Sequence, residues 1–326
     1  MAGTRKPEGG RNSVSILIVG AGAVGGYLGA QLLAADRNVT FLVHPARRAR
    51  LTAEGLRIRG SSGVQAIPVD AVTVSALRGH YDVVVLAVRS SAVPSAISDI
   101  AGAITSGTRI VPVVNGIRHL GLLTAAFGQD LVFGAQAKLA TSMLSDNTIE
   151  EVAPGIQVEI GQLDGGRSQS LSHTAAELDV PNIAVTIRND PVAAMWEKFA
   201  FITATAVLTC LVGENIGTLA RTPGGRELAH TVVAEVATVA AAEGYGLAPS
   251  ARSKLEAFLT DPTSAFAPSM FRDMQAHRPI EVDVLTELAA GARSHTISTP
   301  ILDAALVVID IYHRRIGKKE PQLAPS

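Results

Sequence analysis

Uninterrupted apolar runs, each followed by a helical stretch, set the rhythm of the first half of the chain. VSILIVG opens the pattern at Val14, the Gly-opened stretch GAGAVGGYLGAQLLAAD follows, and RNVTFLVH is a second β-branched run. Strand, helix and strand in that order predict a βαβ unit. YDVVVLAV (81–88) and TRIVPVVNG (108–116) repeat the strand character, with the helical SSAVPSAISDIAGAI between them. Strands that are apolar throughout rather than alternating belong to a parallel sheet covered on both faces. From Leu131 to about Arg188 the pieces shorten around a Pro154-Gly155 turn, with one helical stretch near His173–Leu178 and a last strand NIAVTIR, and are expected to finish the sheet as an antiparallel edge.

Asn189-Asp190-Pro191 then reads as a helix start, a capping side chain before a proline in the first turn. Beyond it the pattern is helical over Val192–Leu211, Glu227–Glu243, Ala251–Thr260, Ser269–Ala276, Val282–Gly291 and Pro300–Arg315. The expected organisation is a polar tail over 1–13, an α/β domain over 14–189, and an all-helical C-terminal domain over 190–326.

Composition narrows the class of partner. The chain has 326 residues, 47% hydrophobic and 17% charged, and its 28 Lys and Arg nearly balance 29 Asp and Glu. A chain without an excess of one sign has no field to recruit nucleic acid or an acidic membrane, so a small-molecule partner is expected. Aromatics at 4% leave little from which to build a base-stacking surface. The single cysteine, Cys210, excludes an internal disulfide and points to a reducing, cytoplasmic setting. Arg5, Lys6 and Arg11 before the apolar stretch Val14–Ala23 imitate a secretory signal, but the glycines in that stretch have another explanation.

Gly20-Ala21-Gly22-Ala23-Val24-Gly25 is a G-x-G-x-x-G placed after a strand and opening a helix, the context in which that pattern binds a dinucleotide. The first glycine makes the tight turn, the second lets backbone approach a pyrophosphate, and the third lets helix and strand pack closely. An NAD site wants an acid at the end of the second strand for the ribose 2′-hydroxyl. This chain has Val43-His44-Pro45 there, followed by Arg47 and Arg48. Two guanidinium groups suit a 2′-phosphate, which favours NADP(H); otherwise, with Arg50, they are a solvated helix face.

Between Pro191 and Leu211 the only charged residues are Glu197 and Lys198. Lys198 either snorkels to the surface or lines a cleft, where desolvation lowers its pKa and makes it a general acid for carbonyl reduction. The eight histidines have no metal-ligand spacing and no G-x-S-x-G elbow is present, so neither a metal site nor a serine nucleophile is expected; Cys210 reads as a core thiol.

The Gly20–Gly25 turn, YDVVVLAVRS with Arg89, VVNG with Asn115, MWEK with Lys198, and SMFRDMQAHRPIEVD with Ser269 and Glu281 together resemble the ketopantoate reductases, NADPH-dependent 2-dehydropantoate 2-reductases of pantothenate biosynthesis. The resemblance runs from about residue 15 to 313. It implies a Rossmann-type dinucleotide-binding domain over 14–189, a helical C-terminal domain and an active site between them, with Lys198 as general acid and Glu281 binding the substrate hydroxyl. Ser269 would hold the substrate carboxylate, and Asn115 and Arg89 would lie at the nicotinamide ribose, Asn115 also lining the substrate. Taken alone, Glu281 is a first-turn helix acid, Ser269 a helix cap and Asn115 a turn residue. Four positions depart from the family pattern: His44 and Arg89 replace the usual arginine and lysine, and Ile202 and Ala206 stand where well-known members carry substrate-binding asparagines. Thr203 and Thr205 are the nearby hydroxyls that could substitute. The substrate is therefore expected to be a small 2-oxo acid, ketopantoate first. The alternatives are another 2-oxo acid or an imine on the same fold, or an NADP(H)-sensing protein without turnover. The apolar C-terminal helices leave room for a homodimer.

Overall fold

The computed structural model describes residues 14–317; the tail expected over 1–13, and residues 318–326, lie outside the described residues. The first half runs β1 (Ser15–Val19), α1 (Ala23–Ala34), β2 (Asn38–Leu42), α2 (Pro45–Glu54), β3 (Leu56–Gly60), β4 (Gly63–Ile67), β5 (Asp70–Val72), β6 (Val83–Leu86), α3 (Val93–Ile100), β7 (Arg109–Pro112), α4 (Arg118–Phe127), β8 (Phe133–Met143), β9 (Ile149–Gln162), α5 (Gln169–Leu178) and β10 (Ile183–Ile187). The second half is helical: α6 (Pro191–Val212), α7 (Ile216–Arg221), α8 (Gly225–Ala242), α9 (Pro249–Leu259), α10 (Ser269–Gln275), α11 (Asp283–Ser294) and α12 (Pro300–Gly317).

Strands β5-β2-β1-β6-β7 form one sheet, parallel throughout. The continuous apolar runs are its centre: Ile16, Leu17, Ile18, Val84, Val85 and Leu86 are all fully buried. Chain order reverses between β1 and β6, and in such a sheet ligands bind in the crevice at the carboxyl ends of the strands flanking the reversal. The loops after β1, β6 and β7 therefore mark the crevice where a ligand is expected.

The expected antiparallel edge is not what residues 131–188 build. They form a second, mixed sheet, β10-β9-β3-β4 with β8 antiparallel on β9, joined by the hairpin Leu56–Ile67. The reason lies in α1, whose Tyr27, Leu28, Ala30 and Leu32 are buried in spite of facing several directions. A helix apolar all round needs cover on both sides. The parallel sheet supplies one side, where Gly29 sits against Phe41, and the second sheet the other, where Gly26 sits against Ile149.

Helix α6 starts at Pro191 as expected, but Asp190 makes no side-chain cap; Arg188 holds its carboxylate instead. By length and composition α6 could cross a bilayer, yet 67% of its most apolar 18-residue stretch is buried inside the protein. Helices α8, α10, α11 and α12 pack around it, and Phe199, Ala200, Ala204, Val207 and Leu208 sit in the core they share.

Candidate functional site

The glycine turn has the geometry its spacing requires. Gly20 has φ +99° and a Cβ there would lie 2.7 Å from the Ala87 carbonyl oxygen; at Gly25 a Cβ would strike the Gly20 carbonyl oxygen and approach Ala87 Cβ to 2.8 Å. Gly22 is the opposite case, with open space where its Cβ would be. The first turn of α1 carries no acid and no side-chain cap, so the amides of Ala23 and Val24 face that space unpartnered by side chains. Free amides beside an open, side-chain-free surface fit a pyrophosphate.

At the end of β2, the Arg47 guanidinium donates to the Ala21 carbonyl oxygen at 2.9 Å, which ties it to the glycine turn and leaves other N–H donors for a ligand. Arg48 turns the other way. It donates to the Ala71 carbonyl oxygen at 3.1 Å and lines a surface cavity of about 340 Å³ with Pro45, Ala49, Thr52, Ala53 and Thr73. The structure thus brings one of the two arginines to the turn, not both.

On the far side of the reversal, Arg89 and Asn115 follow β6 and β7 and are exposed. Glu281, just before α11, lies against the first of these loops, where it accepts a hydrogen bond from the Ser90 backbone. Partial burial pushes its carboxyl above the usual range, Asp283 and Asp273 adding to the effect and Arg89 and Ser90 opposing it. Asp283 accepts from the Ser91 N–H at 2.9 Å. The chain segment at the start of α11 therefore seats two acids on the β6 loop, where only Glu281 was anticipated.

Lys198 projects from α6 toward the second sheet, and its Nζ donates to the Ala137 carbonyl oxygen of β8 at 2.8 Å. Burial brings its pKa down to about 8; Lys138 adds to this and Glu159 opposes it. Those two residues pair with each other at 3.6 Å beside Ala137. The snorkelling alternative does not hold, because the ammonium ends on a buried strand.

His119 escaped the sequence reading. It is 1% exposed, neither ring nitrogen has a partner, and burial, with Lys198 nearby, lowers its pKa to about 4, so it is neutral beside the lysine. Its position four residues after Asn115 was the available signal. It shows that Lys198 lies beside the start of α4, next to the Asn115 loop.

The remaining candidates are placed less favourably. Ser269 is the first residue of α10, exposed, with Pro268 rather than itself at the cap position. Among the described residues, neither Ser269, Asn115 nor Glu281 hydrogen-bonds to Lys198. Ala206 is fully buried and Ile202 packs on the helical core. Thr203 and Thr205 are buried too, and each hydroxyl donates back to its own helix, to Phe199 and to Phe201. They are thus not the substitutes for the missing asparagines that the sequence allowed.

A parallel sheet with a side-chain-free glycine turn at its reversal, a helical half closing over the loops, and a lysine of lowered pKa define a nicotinamide-dependent oxidoreductase. Two family models match: ketopantoate reductase PanE/ApbA over residues 16–165 and its C-terminal part over 190–313. The chain belongs to the ketopantoate reductase PanE/ApbA family. Among relatives, it is 27% identical over 300 residues to the uncharacterized oxidoreductase YkpB of Bacillus subtilis, covering 92% of this chain and 99% of that one. It is 24% identical to the 2-dehydropantoate 2-reductase of Mesorhizobium japonicum, covering 91% and 97%. Among solved structures, a D-mandelate dehydrogenase with NADH and anilino(oxo)acetate superposes with TM-score 0.82 at 19% identity, covering 93% of this chain and 100% of that one. A putative ketopantoate reductase from Ralstonia solanacearum superposes with TM-score 0.79 at 25% identity, covering 94% and 99%.

Proposed function

We propose that this protein reduces a small 2-oxo acid to the 2-hydroxy acid with NADPH, 2-dehydropantoate to pantoate being the leading reaction, as in pantothenate biosynthesis. The observation that carries the proposal is Lys198, an ammonium drawn to a pKa of about 8 by burial and oriented by the Ala137 carbonyl oxygen. It is protonated at neutral pH yet readily gives up its proton, as a general acid must.

The division at residue 189 is read as a division of labour. The α/β half holds the nucleotide on Gly20–Gly25, with Arg47 the main contact for a 2′-phosphate and Arg48 a secondary one. The bound nicotinamide supplies a hydride to C2 of the substrate. Lys198 hydrogen-bonds the carbonyl oxygen, offsets the negative charge developing there and delivers the proton that completes the hydroxyl. Glu281 accepts from a substrate hydroxyl and with Arg89 orders the β6 loop, Asn115 lies at the nicotinamide ribose and the substrate, and Ser269 receives the substrate carboxylate when the cleft is filled. The balance is one 2-oxo acid, one NADPH and one proton giving one 2-hydroxy acid and NADP⁺.

Ile202, Ala206 and the self-bonded Thr203 and Thr205 favour a second reading, a 2-oxo acid with a less polar side chain on the same framework. The face made by residues 202 and 206 offers no partner to a polar group on the substrate side chain, which would be desolvated there without compensation. Initial rates of NADPH and NADH oxidation with a panel of 2-oxo acids that includes ketopantoate test both. The leading reading expects the highest kcat/KM with ketopantoate and NADPH. A better rate on an apolar 2-oxo acid transfers the assignment to the second reading, and no turnover with any of them removes both.

A further inference from the structure

Helix α11 brings one more acid to the cleft, and it reaches a different loop. The Glu287 Oε1 atom accepts from two consecutive backbone N–H groups, Ile117 at 2.7 Å and Arg118 at 2.6 Å. These are the amides that open α4, a helix with no acid in its first turn and no side-chain cap of its own. The same carboxylate lies against Gly116, which is buried, has φ +97°, and could carry a Cβ only by colliding with Glu287. One side chain from the helical half thus fixes the three residues that follow Asn115.

Asn115 itself makes no comparable tie. It is exposed at the end of β7, so the direction of its side chain depends on the peptide units after it. An oxygen shared by two successive amides fixes both the place and the tilt of that turn, and a half-buried, charged acceptor does so strongly. Burial raises the Glu287 carboxyl above its usual range, and the two amides and Arg118 counter that shift.

We propose that Glu287 is a positioning residue of the reductase site: it sets the Asn115–Arg118 turn in the geometry that receives the nicotinamide end of the cofactor, and so joins docking of the helical half to cofactor binding. The proposal rests on Asn115 lying at the nicotinamide ribose. A plain helix cap would affect stability and leave cofactor affinity alone.

The test is NADPH titration by fluorescence, with KM and kcat for NADPH, well below the melting temperature, for Glu287→Ala, Glu287→Gln, Asn115→Ala and the double alanine variant. Loss of two charge-assisted hydrogen bonds is expected to weaken NADPH about tenfold in Glu287→Ala. Glu287→Gln, whose Oε1 still accepts from both amides, recovers most of the loss, and the double variant binds no more weakly than Asn115→Ala. Unchanged NADPH affinity in both Glu287 variants overturns the proposal, as do fully additive losses. If Asn115→Ala itself leaves NADPH binding unchanged, the Asn115 reading fails and takes the proposal with it. If Asn115→Ala weakens binding and Glu287→Ala does not, the reading stands and only the positioning role is lost.

Discussion

Replacing Lys198 by methionine should cut turnover by orders of magnitude and, at neutral pH, make the protein more stable. Burial has brought the ammonium from 10.5 to about 8, a difference worth about 3 kcal/mol against folding at pH 7. Methionine removes that penalty but leaves the Ala137 carbonyl oxygen without its donor, which costs about 1–3 kcal/mol. The net gain is therefore modest, about 1 kcal/mol, and its pH dependence is the sharper observable. Between pH 8 and 10.5 the unfolded chain holds a proton on residue 198 that the folded chain has released, so wild-type stability rises with pH through that window. The variant has no such component. Urea unfolding at intervals from pH 7 to 10.5 should show the difference between the two shrink and then reverse, while kcat of the variant at pH 7 is down by about 10²–10⁴-fold. A stability difference that stays flat across the window would refute the argument, since it would mean that the folded lysine titrates like an unfolded one. In the reducing direction the wild-type rate should fall as pH rises past about 8, read from kcat against pH.

Three further outcomes follow from other parts of the molecule. Arg47→Ala should raise KM for NADPH about tenfold or more beyond its effect on NADH, and Arg48→Ala should do so less, because only Arg47 is tied to the glycine turn; equal effects of the two substitutions on NADPH would contradict the geometry. Gly25→Ala places a methyl against Gly20 and Ala87, and a lower Tm, by about 1–3 kcal/mol of stability, together with weaker NADPH binding is expected; an unchanged melting curve would show that the turn is looser than described. Glu235 is buried and accepts from Ile301 N–H at 2.9 Å and Leu302 N–H at 3.1 Å at the start of α12, so Glu235→Ala should cost about 3 kcal/mol in urea unfolding, with Glu235→Gln milder and kcat of the folded fraction unaltered.

The parts of this fold that were legible in the sequence are those written in a local code. Apolar runs at strand length, a glycine turn between strand and helix, and a proline at the start of α6 each depend on neighbouring residues, so reading along the chain finds them. The second sheet was not legible in the same way. β3 meets β9 through Ile58 with Ile149, and no local pattern announces a pairing across that much chain. The site divides along the same line. Lys198 stood out because its surroundings in sequence are apolar, and Gly22 because of its spacing. Glu287 looked like any exposed acid of an amphipathic helix, and its meaning appears only when α4 lies against α11. Thr203 and Thr205 misled for a related reason: sequence shows a hydroxyl but not that the helix has already claimed its proton.

Lys198 is oriented by a main-chain oxygen, and that has a consequence for how such an enzyme can change over evolutionary time. Substituting residue 137 alters a methyl group and leaves the acceptor in place, so point mutation has almost no purchase on the partner of the lysine. What holds the acceptor is strand register, Ala137 opposite Val158 on β9, with the pairing slipping only beyond Lys138. Insertions and deletions in β8 or β9 would rotate the carbonyl away and are the changes that lineages of this enzyme must avoid. Side chains lining the rest of the cleft are free to drift, and substrate choice can be rewritten while the buried lysine and its acceptor are inherited intact.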